Sequence, residues 1–419
     1  MILSPIYLVV NIFFIHEIFK WLNSLCNITN ANKTVFRIIK ITLGILCGFA
    51  TIAIFIAFLI PAGLSMDEYP TIYKLRRILK TIANYHLGVF IYEGIAFLVI
   101  LVCRLLERIH WIRQGLSKEE RQSRLYNKRR CIIGLLNFGF IIFVTIYGTH
   151  VAQDIQITPY EISIDKSVPD MNSMNIVLVS DLHMGYNIGI DQISQMVTKI
   201  NSQNPDLVVI AGDIFDNEYE ALEDPVALSR LISEINSKYG VYGVWGNHDV
   251  EERILGGFTF SNDSEVKKYS DEMMEFIENS GITMLCEESV MINDEIYLYG
   301  RPDYSRPGNK TNSRLSAEDI VKDMDSSKPI IVIDHQPREY DKLAKAGVDL
   351  DLGGHTHDGQ FFPMTLTSRY FTWENSAGYI KKGDMHCIVT SGVGLFGPNI
   401  RLGSIAEIAS IKVNFSQGQ

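Results

Sequence analysis

The chain has 419 residues, enough for more than one domain, and its charge is divided unevenly. Residues 1–150 contain 17 Lys and Arg against 7 Asp and Glu, whereas residues 151–419 contain 21 against 41. The first part is therefore basic and apolar, and the second part is acidic. An acidic domain has no basic stripe to neutralise the phosphates of a nucleic acid, so nucleic acid is excluded as its natural partner.

Four apolar spans fill the first part, at residues 2–19, 38–60, 82–106 and 131–149. A helix of about 20 apolar residues crosses a bilayer. Residues 1–150 are therefore predicted to form a bundle of four transmembrane helices in contact with membrane lipid. The third span contains His86 and Glu93. Buried charge in a membrane often has a function, but we favour the alternative that these groups pair with Tyr or Asn in the bundle.

Loop charge predicts the orientation of these spans. Residues 104–130, between the third and fourth spans, carry nine Lys and Arg against three Glu. The positive-inside rule places this loop in the cytoplasm. The chain is then a multi-pass membrane protein with an extracytoplasmic second part. The loop between the second and third spans is mixed, because two acidic residues suit the outside whereas four basic residues, among them Arg76 and Arg77, do not.

Beyond residue 150 the apolar pattern changes between strand and helix periods. Residues 156–164 alternate as an entry strand, and the spacing at residues 193–200 and 222–235 predicts crossover helices. Three later runs are predicted to be strands of a second sheet: residues 282–285, 290–292 and 296–299.

Three short apolar runs in this part are each followed at once by a polar motif. Such runs predict parallel strands that are buried on both faces. Open α/β sheets bind ligands just beyond the carboxyl ends of these strands. The three motifs thus bring polar side chains to one rim: Asp181 and His183, Asp213 and Asp216, and Asn247 and His248.

Two later apolar runs end in the same way, the first at His335 and the second at His355 and His357. Alternation places His355 and His357 on the same side of an extended chain. Carboxylate, carboxamide and imidazole without thiolate form a ligand set for Mn, Fe or Zn. The ligands are too many for one tetrahedral ion, so two divalent metal ions are predicted. Such a pair clamps a phosphate and activates a bridging water or hydroxide.

The order of the motifs, D-x-H, G-D-x-x-D, G-N-H-D, a lone His and G-H-x-H, resembles the calcineurin-like metallophosphoesterases. Residues 391–394, 397–398 and 401–403 further resemble the exported or membrane-attached branch typified by YkuE and YaeI. The resemblance covers residues from about 175 to 413. It implies that residues 151–419 form a metallophosphoesterase domain, a four-layer α/β/β/α sandwich preceded by the transmembrane bundle.

The resemblance also implies a role for each motif residue. His248 would protonate the leaving oxygen, Asp216 would orient His248, and Asn247 would contact the transferring phosphoryl group. Asp213 would bridge the two metals. The implied ligands are Asp181, His183, Asp213 and His357 for one metal, and Asp213, Asn247, His335 and His355 for the other.

Ordinary structural explanations exist for single residues. A buried His is usually a hydrogen-bonded core residue, and we assign His386, which lies outside the motifs, to that class. Five unrelated turns matching one ordered pattern are improbable. Arg301 or Arg401 could hold a phosphate oxygen or form structural ion pairs. Two apolar loops, residues 256–260 and 360–364, either touch the acyl chains of a lipid substrate or are packed anchors.

The expected activity is that of a membrane-anchored phosphodiesterase or phosphomonoesterase. Its substrate would be a lipid or cell-envelope phosphate ester, cleaved by metal-hydroxide attack on phosphorus with His248 as the acid. One alternative is a pyrophosphatase of a nucleotide-linked lipid precursor of the UDP-diacylglucosamine type, which fits an outward domain poorly because that precursor is cytosolic. The other is a non-catalytic membrane receptor or assembly protein, against which the complete ligand set argues.

Overall fold

The computed structural model describes residues 3–61, 64, 68–114, 117, 128–250, 254–255, 258–259, 269–307 and 313–417. Contacts divide the chain into two compact units. The first comprises Met1–Ile60 and Ile78–Gly148, and the second comprises Pro61–Arg77 and Thr149–Gln419.

Four helices, each long and apolar enough to cross a membrane, begin the chain. They are α1 (Leu3–Thr29), α2 (Lys33–Leu59), α3 (Pro70–Arg113) and α4 (Lys128–Gln153). Each is longer than its predicted apolar span, because polar flanking residues continue the helical turns. With 44 residues, α3 is the longest. At 1.5 Å per residue it extends about 66 Å, about twice the hydrocarbon thickness of a bilayer.

His86 and Glu93, inside the first unit, each have a polar partner. The Glu93 carboxylate accepts two hydrogen bonds from Asn137 Nδ2, at 3.0 and 3.2 Å. His86 Nδ1 lies 2.8 Å from the Tyr7 hydroxyl. These contacts confirm the structural interpretation of His86 and Glu93. A cavity of about 270 Å³ lies among the helices, and both Glu17 and Glu93 line it.

The second unit is built on two six-stranded sheets. The strands of the first sheet are β1 (Ile155–Ser167), β2 (Ser173–Val179), β3 (Leu207–Ala211), β4 (Val241–Val244), β7 (Ile282–Met284) and β14 (Ala406–Ser416). Their order is β1-β14-β2-β3-β4-β7. β2, β3, β4 and β7 run parallel, and β14 lies antiparallel to β2 and parallel to β1.

The strands of the second sheet are β8 (Glu288–Ile292), β9 (Ile296–Gly300), β10 (Ile330–Ile333), β11 (Leu350–Gly353), β12 (Gly378–Lys382) and β13 (Met385–Val389). Their order is β12-β13-β11-β10-β9-β8. The prediction that residues 282–285 belong to this sheet is wrong, because β7 pairs with β4 of the first sheet. The helix α7 (Asp271–Asn279) supplies a crossover that returns the chain parallel to β4.

Helices cover both outer faces of the paired sheets. Crossover helices α5 (Ile190–Ser202) and α6 (Pro225–Ser233) pack with α7 against the first sheet. The short helices α8 (Ala317–Val321) and α9 (Tyr340–Ala346) pack against the second. Between the sheets lies an apolar layer that includes Val209 and Ile331. The predicted four-layer α/β/β/α sandwich is therefore confirmed.

The first two turns of α3 belong to the second unit. Arg76 forms a buried ion pair with Glu218 at 2.9 Å, and Tyr186 donates to the same carboxylate at 2.8 Å. Arg77 donates to the Ala221 carbonyl at 2.7 Å. Two of the basic residues that did not suit an outside loop thus have structural partners, which explains their presence without reference to membrane orientation.

Candidate metal centre

Five strands deliver the predicted site residues to one rim of the sandwich. In the first sheet, Asp181 and His183 follow β2, Asp213 follows β3, and Asn247 follows β4. In the second sheet, His335 follows β10, and both His355 and His357 follow β11. The facing ends of two sheets are therefore brought together, as strand-end placement requires.

The backbone at this rim is unusual. Positive φ angles occur at Asp181 (53°), His183 (44°), Asp213 (51°), His355 (72°) and His357 (49°). A non-glycine residue in this left-handed region costs about 1–3 kcal/mol and persists only where surrounding contacts impose it. One contact that imposes this conformation is the hydrogen bond from Asp181 N–H to the Gly212 carbonyl, at 3.0 Å. Stored strain of this kind is typical of functional sites.

One group of ligand atoms gathers around His183. Its Nε2 lies 3.0 Å from His357 Nε2 and 3.6 Å from Asp213 Oδ2. His357 Nε2 lies in turn 3.5 Å from Asp181 Oδ1. These four side chains are the set implied for the first metal.

A second group gathers around His335. Its Nε2 lies 3.1 Å from Asn247 Oδ1, 3.2 Å from Asp213 Oδ2 and 3.2 Å from His355 Nδ1. These are the four side chains implied for the second metal. Asp213 Oδ2 thus reaches both groups, which is the position required of a bridging carboxylate.

The donor chemistry fits a pair of divalent cations. His335 Nδ1 lies 2.7 Å from the Ala211 carbonyl and donates to it, so the neutral imidazole would offer Nε2 as a metal ligand. Nε2 faces the oxygens of Asp213 and Asn247, and nitrogen and oxygen ligands that converge in this way fit a cation between them. Ligand atoms at about 2.1 Å from a tetrahedral ion are about 3.4 Å apart, close to the observed spacings.

The electrostatics of the site leave three of its ligands in the protonation states that bind a metal. Burial raises the pKa of Asp213, but the opposing effect of His335, together with His248 and His183, holds that pKa well below its usual range. Burial lowers the pKa values of His355 and His357 well below the ordinary value. Both imidazoles are thus neutral and able to donate a nitrogen lone pair to a metal.

His248 lies at the edge of the first group. Its backbone N–H donates to Asp213 Oδ1 at 2.7 Å, and its ring stands 4.9 Å from the His183 ring at 78°. Asp216 Oδ1 lies 3.8 Å from His248 Nδ1 and 3.6 Å from His183 Nδ1. Asp216 therefore lies between the two rings and hydrogen-bonds to neither. Burial lowers the pKa of His248, and the carboxylates of Asp213 and Asp216 act against that effect.

Two glycines permit the close approach of these loops. A Cβ atom at Gly246 would lie 2.1 Å from Asp213 Oδ1, and one at Gly354 would lie 2.6 Å from Asp181 Oδ2. Asp249 supports the same turn, since its carboxylate accepts from Phe215 N at 2.9 Å and Gly246 N at 2.6 Å. The first residue of the G-N-H-D motif and the first residue of the G-H-x-H motif are thus glycine because a side chain there would clash with Asp213 or Asp181.

Neither arginine proposed to hold a phosphate oxygen is free to do so. Arg301 is 1% exposed and donates to Asp334 at 2.8 Å and Glu339 at 2.9 Å. Arg401 is fully buried and donates to backbone carbonyls, including that of Gly394 at 2.7 Å. The structural ion pair is therefore correct for Arg301, whereas Arg401 is held by backbone carbonyls rather than by a carboxylate. The structural interpretation also holds for His386, which contacts the Tyr379 hydroxyl and the Ser163 carbonyl, each at 3.0 Å.

Two residues near the centre were missed by sequence reasoning. The Trp373 ring meets the His355 ring edge-on at 5.1 Å between centroids, and the guanidinium carbon of Arg338 lies 4.7 Å from a Trp373 ring centroid. The only available signal was the position of Arg338, three residues after His335.

The two loops expected near the substrate have different outcomes. Gly256, Gly257 and Phe260 lie outside the described residues, although Ile254–Leu255 and Phe258–Thr259 pair as strands β5 and β6. After His357, the second loop leads into the helix α10 (Met364–Thr367) and leaves several large apolar side chains exposed. We call these the apolar ridge: Phe362, Met364, Leu366, Tyr370 and Phe371.

Comparison with known proteins agrees with this fold and centre. Residues 174–359 match the family described as calcineurin-like phosphoesterase, and this part of the chain is a calcineurin-like metallophosphoesterase domain. Proteins of this family are metal-dependent phosphoester hydrolases. The resemblance drawn from the five motifs is therefore confirmed.

The relatives include both membrane and bacterial proteins. A Danio rerio protein described as a transmembrane protein with metallophosphoesterase domain is 26% identical, with 64% of this chain and 60% of the relative covered. A Bos taurus protein of the same description is 29% identical, covering 67% and 59%. YkuE of Bacillus subtilis, described as an uncharacterized metallophosphoesterase, is 26% identical, covering 54% and 73%. This chain spans about 60% of the length of the first two relatives.

Proposed function

We propose that this protein is a membrane-anchored phosphoesterase that uses two divalent metals to hydrolyse a phosphate ester of a lipid or cell-envelope molecule. The convergence of seven ligand side chains, Asp181, His183, Asp213, Asn247, His335, His355 and His357, carries the proposal. In our assignment Asp213 would be shared by the two ions, which would be Mn, Fe or Zn.

Two bound cations supply Lewis acidity and an activated water to a phosphate ester. The side chains divide the remaining work. Asn247 would hold one metal through Oδ1 and would donate its amide N–H groups to the phosphoryl oxygens. His248, at the edge of the centre, donates a proton to the leaving oxygen, and Asp216 stabilises the charged imidazole. The buried rim around His183 and His357 excludes bulk water from these groups, which strengthens each electrostatic contact.

The apolar ridge supports a lipid-like substrate. It begins five residues after His357, and within it Tyr370 is 73% exposed and Phe371 is 85% exposed. Large exposed apolar patches mark sites of interaction with a partner, ligand or membrane. We assign the ridge to contact with the acyl or isoprenoid chain of the substrate.

The proposed localisation is a multi-pass membrane protein with an extracytoplasmic catalytic domain. The basic loop at residues 104–130 supports this orientation. Arg76 and Arg77, whose charge favoured the opposite membrane orientation, have structural partners in Glu218 and Ala221.

The test is phosphorus NMR of a total membrane lipid extract before and after incubation with detergent-purified protein and Mn²⁺, with an Asp213→Asn sample alongside. Loss of a diester or monoester resonance with the wild type alone supports the proposal. Loss of a pyrophosphate resonance instead would favour the precursor pyrophosphatase. Cleavage of an aryl phosphodiester without any lipid change would move the substrate to soluble envelope phosphates, and no activity on either would favour a structural metal site.

A further inference from the structure

An arginine beside the metal centre has no carboxylate partner among the described residues. Arg338 is exposed, and its Nε donates to Gln336 Oε1 at 3.2 Å. Its guanidinium carbon lies 4.9 Å from the Tyr304 ring centroid and 4.7 Å from that of Trp373. The neighbouring Arg314 differs, since it forms an ion pair with Asp334 at 2.6 Å.

The aromatic rings fix where this charge stands. Trp373 contacts both Arg338 and, edge-on at 5.1 Å, the ring of His355. A cation over two rings keeps its orientation while its outer N–H groups stay available. The contact with Gln336 uses Nε alone. Nη1 and Nη2 of Arg338 are thus presented beside the second group of ligands without a described acceptor.

We propose that Arg338 is a substrate-binding residue that holds anionic oxygens of the phosphate group beside His355. The proposal rests on the phosphoesterase function given above and specifies how that site takes its substrate. A planar guanidinium matches two phosphate oxygens at once. Trp373 and Tyr304 act as positioning residues, because they set the direction of the fork.

The position of Arg338 defines which part of the substrate it contacts. His248 lies on the His183 side of the centre, at 4.9 Å between rings, whereas Arg338 lies on the His355 side. Arg338 is therefore remote from the proposed proton donor and binds the retained phosphate rather than the leaving group. A group that binds substrate and transition state alike changes KM and phosphate affinity more than kcat.

The experiment measures binding of inorganic phosphate to the metal-loaded full-length protein by titration calorimetry. Arg338→Gln should raise the phosphate Kd by about 10-fold to 100-fold, the usual range for loss of charge-assisted hydrogen bonds. Arg338→Lys, which retains charge without the planar fork, should give an intermediate value. Metal content should be unchanged in both, and Arg230→Gln, an exposed arginine on α6, should bind phosphate as the wild type does.

Steady-state hydrolysis of an aryl phosphodiester separates this proposal from the function on which it depends. We expect Arg338→Gln to raise KM with a smaller change in kcat. An unchanged Kd and KM in Arg338→Gln, with an active wild type, would overturn the role of Arg338 alone. No phosphate binding by the wild type would overturn it as well. Arginine-dependent phosphate binding without hydrolysis of any ester would retain the site and overturn the catalytic function.

Discussion

The membrane bundle and the catalytic unit bury the same kinds of side chain but use them differently. In the bundle, the buried Glu93 carboxylate has a hydrogen-bond donor, because it accepts two hydrogen bonds from Asn137. In the metal centre, His335 Nε2 lies within 3.2 Å of oxygens of both Asp213 and Asn247. The pair of Glu93 and Asn137 is complete without a ligand, whereas the converging nitrogen and oxygen atoms of the metal centre fit a cation.

The largest expected effect comes from removing the negative charge of Asp213, which contacts both the ligand group around His183 and the ligand group around His335. Asp213→Asn should abolish stoichiometric binding of both metals and lower kcat by at least about 10³-fold, the upper value for loss of one electrostatic group. Elemental analysis and aryl phosphodiester hydrolysis measure the two effects. Asp351→Asn is the matched control, because Asp351 is 1% exposed and neither of its oxygens has a hydrogen-bond partner among the described residues. Normal metal content in Asp213→Asn would remove the bridge from our assignment.

Removal of the proposed proton donor should spare the metals. His248→Ala should lower kcat by about 10²-fold to 10³-fold, as expected for loss of general acid catalysis, with two metals still bound. An ester with a good leaving group should lose less rate than one with a poor leaving group, since only the poor one needs protonation. His386→Ala is the control histidine and should leave kcat unchanged. Equal losses for both esters would contradict the acid role.

A third change tests whether the metal centre depends on the absence of a side chain at position 246, with every ligand residue retained. In Gly246→Ala the new Cβ would lie 2.1 Å from Asp213 Oδ1 and must displace that carboxylate. Metal affinity should fall by about 10-fold to 100-fold, as for other changes that misplace a ligand. Gly139→Ala is the control, because nothing lies within 4 Å of a Cβ there. Competition with a metal chelator gives the affinities, and equal values for the two variants would exclude a steric role for Gly246.

The sequence predicts the catalytic sandwich and the gathering of its ligands because the strand-end rule is local. Each apolar run is short, and each motif begins where the run stops, so Asp181, Asp213 and His335 are placed by connectivity alone. The partner of β7 is not predictable in this way, since three residues carry no signal for one sheet over another. Pairing with β4 follows from the crossover through α7.

Other features escape prediction because they depend on distant segments. The positive φ of Asp213 reflects contacts imposed by several loops at once. Arg338 differs from Arg301 only through its neighbours: Arg301 meets Asp334 and Glu339, whereas Arg338 meets the rings of Tyr304 and Trp373. The sequence does not show which distant side chains each arginine meets, so only the folded structure distinguishes an ion pair from an available guanidinium.

The smallest expected effect belongs to the bundle, where pairing supports stability and not chemistry. Asn137→Leu should leave the Glu93 carboxylate buried without a donor and lower the stability of the first unit by about 1–3 kcal/mol. The double variant Glu93→Leu with Asn137→Leu should recover part of that loss, because no unpaired group remains. Thermal unfolding in detergent measures both, and hydrolysis of a soluble aryl phosphodiester should be unchanged. A loss of kcat in Asn137→Leu at equal folded fraction would show that the bundle polar pair takes part in the reaction, and the contrast between the two units would fail.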